Sequence, residues 1–323
     1  MSSIGQLYSN QGLSPSSVAI IMSSWRISTK GQYNSHIKRW QQFCERRFCN
    51  PVNPPISIAI DFLTSLYDAG LSYSSINTAR SALSSLFQIP DFANIPVVKR
   101  FMRGVFQLRP SLPRYQSVWN VHSVFNFIRN QQRVEDLPLK ALTMRLAFLL
   151  CLLSGQRRQT IRVLRLDQMN VTSNAYTFNI VDKLKQTRPR YHQKPLVYEK
   201  YISEPTLCIY SHLTRYIELT APLRGATQQL LISFNRPHQA VSADTISRWC
   251  KDFLKQAGVD ISKYKGHSIR AASTSYAAHA VNSDLTRILL AAGWTSEDTF
   301  RRFYDLPCDS SFNLGSTLLS TLE

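Results

Sequence analysis

The chain has 323 residues, 44% of them hydrophobic, and its 38 Lys and Arg outnumber 20 Asp and Glu to give a formal net charge of +18. This length suggests two domains, and the hydrophobic content is ample for packed cores. The longest apolar run, Leu146 to Leu153, is too short to cross a bilayer and excludes a membrane-spanning helix there. So large a positive charge favours a polyanionic partner, because each neutralised phosphate releases counterions.

The first 108 residues predict a flexible start followed by a helical domain. Residues 1–13 are polar, with glycine and asparagine, and are expected to be flexible. Residues 14–108 are predicted to form one helical domain. Its clearest helical patterns cover residues 29–48, 56–69, 72–87 and 97–108. Residues 109–115 contain two prolines and no apolar periodicity, which predicts an extended linker.

The predicted helix at 72–87 has an apolar face and a second face of short hydroxyl side chains. Ser81 belongs to the hydroxyl face and Arg80 lies next to it. Short hydroxyls and an arginine allow close approach to a sugar-phosphate backbone, which makes Arg80 and Ser81 candidate DNA-binding residues. A solvated helix face explains the same pattern equally well.

Residues 116–323 are predicted to form a second domain that mixes helices with a small sheet. A mostly apolar helix from Leu137 to Leu153 ends at Ser154-Gly155, and a further helix is expected through Ile161, Leu164 and Leu166. Two β-rich runs, 176–181 and 194–198, flank the basic segment KLKQTRPRYHQ. This pattern predicts a hairpin with a mobile basic tip, and Leu230 to Phe234 suggests another short strand.

The richest stretch of the chain lies between Gly266 and Tyr304. His267 and Arg270 are three residues apart, so on a helix they share a face. Gly293-Trp294 follows, and then Tyr304. Arginine can clamp the oxygens of a phosphodiester bidentately, and a tyrosine hydroxyl can attack a phosphate held in that way.

These residues carry a resemblance to a known family. The order G-x-R at Gly155 to Arg157, H-x-x-R from His267 to Arg270, Gly293-Trp294 and then Tyr304 resembles the tyrosine recombinases, also called the phage-integrase family. The form GWTSEDTFRRFY is most similar to recombinases of DIRS-type retroelements and Cryptons. The resemblance runs from about Trp119 to the C-terminus and implies an α+β catalytic domain after a helical core-binding domain.

The resemblance implies site-specific DNA strand exchange through a 3′-phosphotyrosyl intermediate, with no cofactor. Tyr304 is then the nucleophile, Arg157 and Arg270 stabilise the transition state, and His267 assists proton transfer. Trp294 stands where many members have a second histidine, and it offers one N–H donor but no base. A lysine of the hairpin serves as general acid. Lys185 fits the family's turn better, and Lys183 is the alternative.

Two assignments within this pattern have a neighbouring competitor. Arg158 stands beside Arg157, and the spacing from Gly155 favours Arg157. The commoner interval from the GW motif to the nucleophile is nine residues, which falls on Phe303, whereas Tyr304 lies ten residues after Trp294. The hydroxyl of Tyr304 favours a nucleophile helix with one extra residue, and a disabled site is the alternative.

Partners and location follow from the same resemblance. Double-stranded DNA is the expected partner, with Lys183 and Arg188 of the basic segment as candidate contacts, and a homotetramer on two duplexes is the expected assembly. Residues 309–322, with Phe312, Leu314, Leu318 and Leu319, are a candidate for docking on a neighbouring subunit. Six cysteines without a C-x-x-C pair indicate reduced thiols inside a cell. The family type suggests the nucleus.

Other function classes fit less well. A two-metal nuclease needs paired carboxylates, and acidic residues are few and scattered near the basic motif. The histidines show no ligand spacing, so no metal site is expected, and neither a membrane nor a small-molecule substrate is implied. A catalytically silent DNA-binding protein derived from a recombinase and a type IB topoisomerase-like enzyme remain as alternatives.

Overall fold

The computed structural model describes residues 2–112, 115–185, 187–190, 192–280, 283–294 and 297–308. They form two compact units, which divide after Leu112 within the predicted linker. The predicted fold class, mainly α with a small β-sheet, is confirmed. The predicted docking segment 309–322 lies outside the described residues. No helix within the described ranges is long and apolar enough to cross a membrane.

The first unit is helical. Its helices α1 to α6 span Ser2–Asn10, Pro15–Ser23, Ile27–Arg47, Ile56–Asp68, Tyr73–Leu86 and Pro96–Leu108, with a 3₁₀ turn at Phe92–Asn94. Helix α5 packs against α3, α4 and α6. Trp40 of α3 is fully buried, and its ring meets Phe62 of α4 edge-on at a centroid distance of 5.2 Å. Aromatic side chains at helical spacing therefore form the core of this unit.

The start of the chain differs from the expected flexible stretch. Residues 2–10 form helix α1, and Ile4 is fully buried in the core of the first unit. Leu7 and Tyr8 pack against the same core. Three apolar side chains at positions i, i+3 and i+4 form one helical face, and its burial outweighs the polar composition of the rest of the segment.

The first residue of the predicted linker contacts the first unit, and the last residue packs in the second unit. Arg109 donates through Nη1 to the carbonyl oxygens of Tyr67 and Leu71 at 3.0 and 2.7 Å, within the first unit. Tyr115 is buried in the core of the second unit and stacks on Tyr264.

The second unit surrounds a central helix with helices and a small sheet. Helices α7 to α14 span Val121–Arg129, Leu139–Ser154, Arg158–Arg162, Ile209–Thr220, Ala243–Gln256, Ser268–Ala278, Leu285–Ala291 and Glu297–Phe303. Strands β1 to β3 span Met169–Val171, Ala175–Phe178 and Leu196–Glu199. Short 3₁₀ turns lie at Val134–Asp136, Leu166–Gln168 and Pro205–Leu207. The sheet is antiparallel in the order β1-β2-β3, with Met169 opposite Phe178 and Ala175 opposite Glu199.

Helix α8 is the centre of this unit. Its residues from Leu142 to Leu152 are buried without interruption, and α10, α11 and α12 pack around it. The helix ends at Gly155, whose φ of +59° is a left-handed conformation that L side chains rarely adopt. A Cβ at this position would lie 3.3 Å from atoms of Ser273, Thr274 and Ala292. Gly155 is therefore required both by its backbone conformation and by the close approach of neighbouring side chains.

The helix expected through Leu166 is shorter than predicted. Helix α9 ends at Arg162, because the next residues pair with another segment of backbone. Leu166 N–H donates to the Gln228 carbonyl at 2.8 Å, and Leu230 N–H donates to the Leu164 carbonyl at 2.7 Å. The apolar spacing through Leu164 and Leu166 therefore fits a helix, although their backbone groups form hydrogen bonds with residues 228–230 instead.

The predicted hairpin is present, with strand ends displaced by one to three residues. β2 and β3 are its two arms, and a third strand that was not predicted, β1, pairs with β2. The strand suggested at Leu230 to Phe234 is wrong for the described residues. Only isolated bridges join Arg165 to Gln229 and Ile232 to Ala240 there.

Candidate active site

Tyr304 and His267 meet through their side chains. Tyr304 immediately follows α14, and His267 is the residue that precedes the first turn of α12. The phenolic oxygen of Tyr304 lies 3.0 Å from Nε2 of His267. The two side chains are 37 residues apart in sequence and form a hydrogen-bonded pair, which places a titratable imidazole at the tyrosine hydroxyl.

The backbone around Tyr304 is anchored on both sides. Tyr304 N–H donates to the Phe300 carbonyl at 2.7 Å, and Phe300 is fully buried. The Ser275 hydroxyl donates to the Tyr304 carbonyl and accepts from Leu306 N–H. Phe303, at the nine-residue interval, is instead 54% exposed. Of these two neighbours, only Tyr304 brings an oxygen to His267.

Arg270 is a buried guanidinium without a carboxylate partner among the described residues. It is 3% exposed and donates through Nη1 to the carbonyls of Gly155 and Ala292 at 2.5 and 2.8 Å. Burial, and secondarily the charge of Arg157, lower the pKa of Arg270 to about 9. The group still carries its proton at neutral pH, so the site holds an uncompensated positive charge.

Several buried N–H groups point to an anionic ligand here. Nε and Nη2 of Arg270 and Nε1 of Trp294 have no hydrogen-bond acceptor within the described part of the chain. All three are donors with no acceptor capacity. The Arg270 guanidinium lies 4.3 Å from the Trp294 ring centroid, so the donors are neighbours. A phosphate group has the charge and the oxygen acceptors that such a cluster lacks.

Arg157 and Arg158 are adjacent but have different surroundings. Arg157 immediately precedes α9, and its guanidinium lies 5.5 Å from the Trp294 ring centroid. Arg158 is exposed, contacts the Ser247 hydroxyl at 3.3 Å and forms an ion pair with Asp244 at 3.4 Å. Helix α11 thus supplies partners for Arg158, and Arg157 is the arginine next to Trp294 and Arg270.

A cavity of about 680 Å³ opens over this cluster. Lys185 lines it together with Arg157, His267, Trp294 and Tyr304. The rest of its wall is made by Tyr115, Arg158, Gln159, Ala271, Thr299 and Phe303. The structure therefore brings five of the six candidate catalytic residues to one cavity, and Arg270 lies against two of them, Trp294 and Tyr304.

The other basic candidates lie elsewhere. Lys183 and Arg188 are exposed residues of the segment between β2 and β3, and neither lines the cavity. Arg80 and Ser81 belong to α5 of the first unit, where both are half-buried. Arg80 donates to the Ala93 carbonyl at 3.4 Å, and the Ser81 hydroxyl donates back to Asn77 of its own helix. The hydroxyl face of α5 is thus internally hydrogen-bonded, and the DNA contacts of these four residues remain predictions.

Three residues of the site were missed by sequence reasoning. Gln156 is buried and donates through Nε2 to the Ala291 carbonyl at 2.6 Å, which joins the turn after α8 to the end of α13. Tyr115 lines the cavity and Ser275 anchors Tyr304. Gln156 lies between two motif residues and could have been noticed. Ser275 and Tyr115 have no local signal, because only tertiary packing brings them to the site.

No candidate metal site is present in the part of the chain that the structure describes. No group of three or more His, Cys, Asp or Glu side chains there is arranged to hold a metal ion.

Comparison with known proteins gives a likeness in fold without a likeness in sequence. No protein-family model matches the chain, and no curated protein matches it. Solved structures do match. The Tn1549 transposon integrase, in complex with circular intermediate DNA, shares 13% identity at a TM-score of 0.60, over 98% of each chain.

Two other solved structures agree. A lambda integrase dimer bound to a COC′ core site has 14% identity and a TM-score of 0.53, over 96% of this chain and 95% of that one. The XerH site-specific recombinase, bound to its palindromic difH substrate after cleavage, has 19% identity and a TM-score of 0.52, over 77% and 68%. These structural neighbours are integrases and a site-specific recombinase, and the chain has their fold.

Proposed function

We propose that this chain is a tyrosine-type site-specific recombinase that cleaves and rejoins double-stranded DNA through a 3′-phosphotyrosyl intermediate. One observation carries the proposal. The Tyr304 hydroxyl lies 3.0 Å from His267, in a cavity whose wall also includes Arg157, Lys185 and Trp294. A nucleophile, a proton-transfer group and cationic phosphate ligands are the parts that phosphoryl transfer to a tyrosine requires.

The first step is attack on phosphorus by the Tyr304 oxygen. His267 accepts the phenolic proton or shares it with the phosphate, because its Nε2 is already within hydrogen-bond distance of the hydroxyl. The new P–O bond joins Tyr304 to the 3′-phosphate, and the bond to the 5′-oxygen breaks. The phosphodiester energy is retained in the covalent adduct, so the reverse attack by a 5′-hydroxyl rejoins a strand without a cofactor.

Transition-state stabilisation is assigned to the cationic cluster. Negative charge grows on the equatorial oxygens as the phosphorus becomes five-coordinate. The Arg270 guanidinium is buried and held by two backbone carbonyls before the substrate arrives, so little reorganisation is needed. Arg157 contributes a second cation, and the Trp294 indole N–H contributes a neutral donor.

Lys185 is proposed as the general acid for the leaving 5′-oxygen. It lines the cavity that contains Tyr304, whereas Lys183, two residues earlier, does not. An ammonium group on an exposed turn can approach the leaving oxygen when DNA lies in the cavity. Lys183 and Arg188 are proposed to contact the DNA backbone beside it, as are Arg80 and Ser81 in the helical unit.

The proposed assembly is a homotetramer on two duplexes, since exchange requires four strands to be cut. Residues 309–322 are proposed to dock on a neighbouring subunit. The GWTSEDTFRRFY stretch supports a recombinase of the DIRS and Crypton type, acting in the nucleus. Residues 14–108 are proposed as the core-binding domain and 116–323 as the catalytic domain.

The test is capture of the covalent intermediate. The purified protein is incubated with random-sequence duplexes that carry single nicks, because a nick lets the free 5′-end diffuse away and traps the adduct. Protein–DNA complexes that resist SDS are then counted and their DNA is sequenced. We expect adducts from the wild type and from the control Tyr210→Phe, and none from Tyr304→Phe, which should still bind DNA.

Two results would overturn parts of this proposal. DNA retained under native conditions with no adduct from any of the three proteins would identify a binding protein without catalysis. Adduct formation with relaxation of supercoils and no recombinant products would identify a topoisomerase instead of a strand-exchange enzyme.

A further inference from the structure

The segment that follows Tyr304 is held along one side of α12 as far as Cys308. Ser275 binds the backbone at Tyr304 and Leu306, and the Tyr276 hydroxyl donates to the Cys308 carbonyl at 3.2 Å. One turn later, His279 contacts the Cys308 side chain. Contacts from successive positions of α12 therefore fix the path of the chain between the tyrosine and Cys308.

Cys308, His279 and Asp305 form a second chemical cluster, separate from the cavity over Tyr304. The Cys308 sulfur lies 3.2 Å from Nδ1 of His279, and Nε2 of the same imidazole lies 3.1 Å from an Asp305 carboxylate oxygen. When Nε2–H donates to Asp305, the lone pair of Nδ1 faces the thiol. A nucleophile thus contacts a base, and the base in turn contacts a carboxylate that orients it.

The surroundings of the cluster are consistent with a reactive thiol. Asp305 is shared with Arg301, whose Nη1 lies 3.7 Å from its other oxygen. The Leu306 carbonyl is a weaker acceptor for the thiol, at 3.8 Å from the sulfur. Of these two contacts of the Cys308 sulfur, the imidazole is the closer, and it can take the thiol proton and be stabilised as imidazolium by Asp305.

A cavity lies in front of the thiol and has room for a small molecule. Its volume is about 580 Å³, and Cys308 and His279 line it together with His122, Phe125, Tyr276 and Leu153. This space lets a co-reactant approach the sulfur, whereas the buried Cys250 lines a cavity of only about 20 Å³.

We propose that Cys308 is a thiol-modification site that reacts with low-molecular-weight disulfides, with His279 as the base and Asp305 as the residue that positions it. His279 takes the thiol proton, and the Cys308 sulfur attacks one sulfur of the disulfide. A new sulfur–sulfur bond forms and the original one breaks. The leaving thiolate takes the proton from His279, so one disulfide and one thiol give a mixed disulfide and one new thiol.

Modification also acts on the nucleophile, and this consequence rests on the proposed function. A group attached to Cys308 displaces the sulfur from His279 and adds bulk between the segment and α12. Tyr304 is only four residues away and is held by the same helix through Ser275. The mixed disulfide therefore lowers the rate of strand cleavage, and reduction with a thiol restores it.

The first experiment measures the reaction of Cys308 with glutathione disulfide by mass spectrometry, without DNA. Cys49, which is also half-buried, serves as the internal comparison. We expect Cys308 to react at least about tenfold faster than Cys49, and His279→Gln to remove that advantage. His122→Gln is the matched control, because His122 lines the same cavity without a contact to the sulfur. Equal rates at Cys308 in wild type and His279→Gln would refute the assignment.

The second experiment measures SDS-resistant DNA adducts before and after the same treatment. We expect the wild type to lose adduct formation severalfold and to regain it with dithiothreitol, whereas Cys308→Ser keeps its rate. Loss of activity to the same extent in Cys308→Ser would contradict control through Cys308. If the untreated wild type forms no adduct, the proposed function fails while the reaction rates of the thiol, measured without DNA, still decide the modification site.

Discussion

At the scale of single residues, the site contains charge and donors prepared for a ligand. Arg270 is buried, oriented by two carbonyls, and has no carboxylate partner among the described residues. The Trp294 ring lies against its guanidinium, and the indole N–H also lacks an acceptor there. Such an arrangement destabilises the protein alone and favours a bound anion, which is how binding and catalytic sites differ from ordinary cores.

Replacing Trp294 with Phe separates its packing from its hydrogen bond. The phenyl ring keeps the contact with Arg270 but lacks the indole N–H, so the transition state loses one preorganised interaction. We expect DNA cleavage to slow by about 10² to 10³, with thermal stability nearly unchanged. Single-turnover adduct formation and a melting curve measure the two quantities. A wild-type cleavage rate in Trp294→Phe would show that the indole N–H takes no part.

An inorganic anion should stabilise the empty site. Sulfate compensates the charge of Arg270, whose lowered pKa of about 9 reflects burial and the nearby Arg157. Ligand at 100 times its Kd stabilises a protein by about 2.7 kcal/mol. Sulfate is therefore expected to raise the melting temperature of the wild type more than that of Arg157→Ala, at constant ionic strength set with chloride. An equal rise in both proteins would mean that the anion binds elsewhere.

At the scale of elements, the turn that follows α8 connects the helices that form the site. Gly155 ends α8, and its carbonyl binds Arg270 of α12. Gln156 binds the end of α13, and Arg157 precedes α9. Three consecutive residues thus connect four helices, so the geometry of the arginine pair depends on the conformation of one turn.

Gly155→Ala tests this dependence, with Gly225→Ala as the matched control. Both glycines have positive φ, +59° and +48°, but only at Gly155 does a Cβ meet other atoms, three of them at 3.3 Å. We expect a loss of about 1 kcal/mol for Gly225→Ala and about 2–4 kcal/mol for Gly155→Ala. Cleavage should fall only in Gly155→Ala. Denaturant unfolding gives the free energies, and equal losses would argue against close packing at the turn.

Helix α10 carries a histidine that makes the second unit sensitive to acid. Burial, aided by Arg145, lowers the pKa of His212 from 6.5 to about 4. Between these values the unfolded chain binds a proton that the folded chain does not. The stability contribution is therefore complete above pH 6.5 and is lost as pH falls towards 4, by about 3 kcal/mol in all.

His212→Asn should flatten that part of the pH profile. The substitution removes the titrating group, so the free energy of unfolding should change less between pH 6.5 and 4 than in the wild type, whatever its absolute value. His238→Asn is the control for a histidine outside the core. Chemical denaturation at a series of pH values makes the comparison, and identical slopes would exclude His212 as the source.

At the scale of the whole molecule, the dominant property is its charge. The net charge of +18 is distributed over both units. The segment between β2 and β3 contains a cluster of lysines and arginines. Polyelectrolyte theory relates the number of neutralised phosphates to the salt dependence of binding, with a slope of about −0.9 per contact on B-DNA. The salt dependence of DNA binding therefore measures how many phosphate contacts Lys183 and Arg188 make.

The double substitution Lys183→Ala, Arg188→Ala should reduce the slope of log K against log salt by about 2, because two phosphate contacts are lost. Arg129→Ala is the control, since this arginine forms a bidentate ion pair with Glu204 and is already neutralised. Binding titrations of one duplex between low and high salt provide the slopes. An unchanged slope in the double variant would place the DNA path away from this segment.

Sequence alone determined the features that depend on local pattern and residue type. Helices α3 to α6 and α8 follow from apolar periodicity, and the hairpin follows from two β-rich runs around a polar segment. The order of the residues at 157, 267, 270, 294 and 304 resembles the tyrosine recombinases, and that resemblance is what implies phosphoryl transfer. Local pattern failed at residues 2–10, where three apolar side chains gain stability from a core that the sequence does not display.

Only the tertiary structure distinguished neighbouring residues that line the same cavity. Arg157 and Arg158 differ in sequence by one position, and it is Asp244 and Ser247 of α11 that engage Arg158. Phe303 and Tyr304 differ likewise by one position, and the buried Phe300 sets the rotation of α14 that brings Tyr304 to His267. A helix turns by about 100° per residue, so a shift of one position moves a side chain to another face. Packing between distant segments fixes that rotation, and local sequence does not contain it.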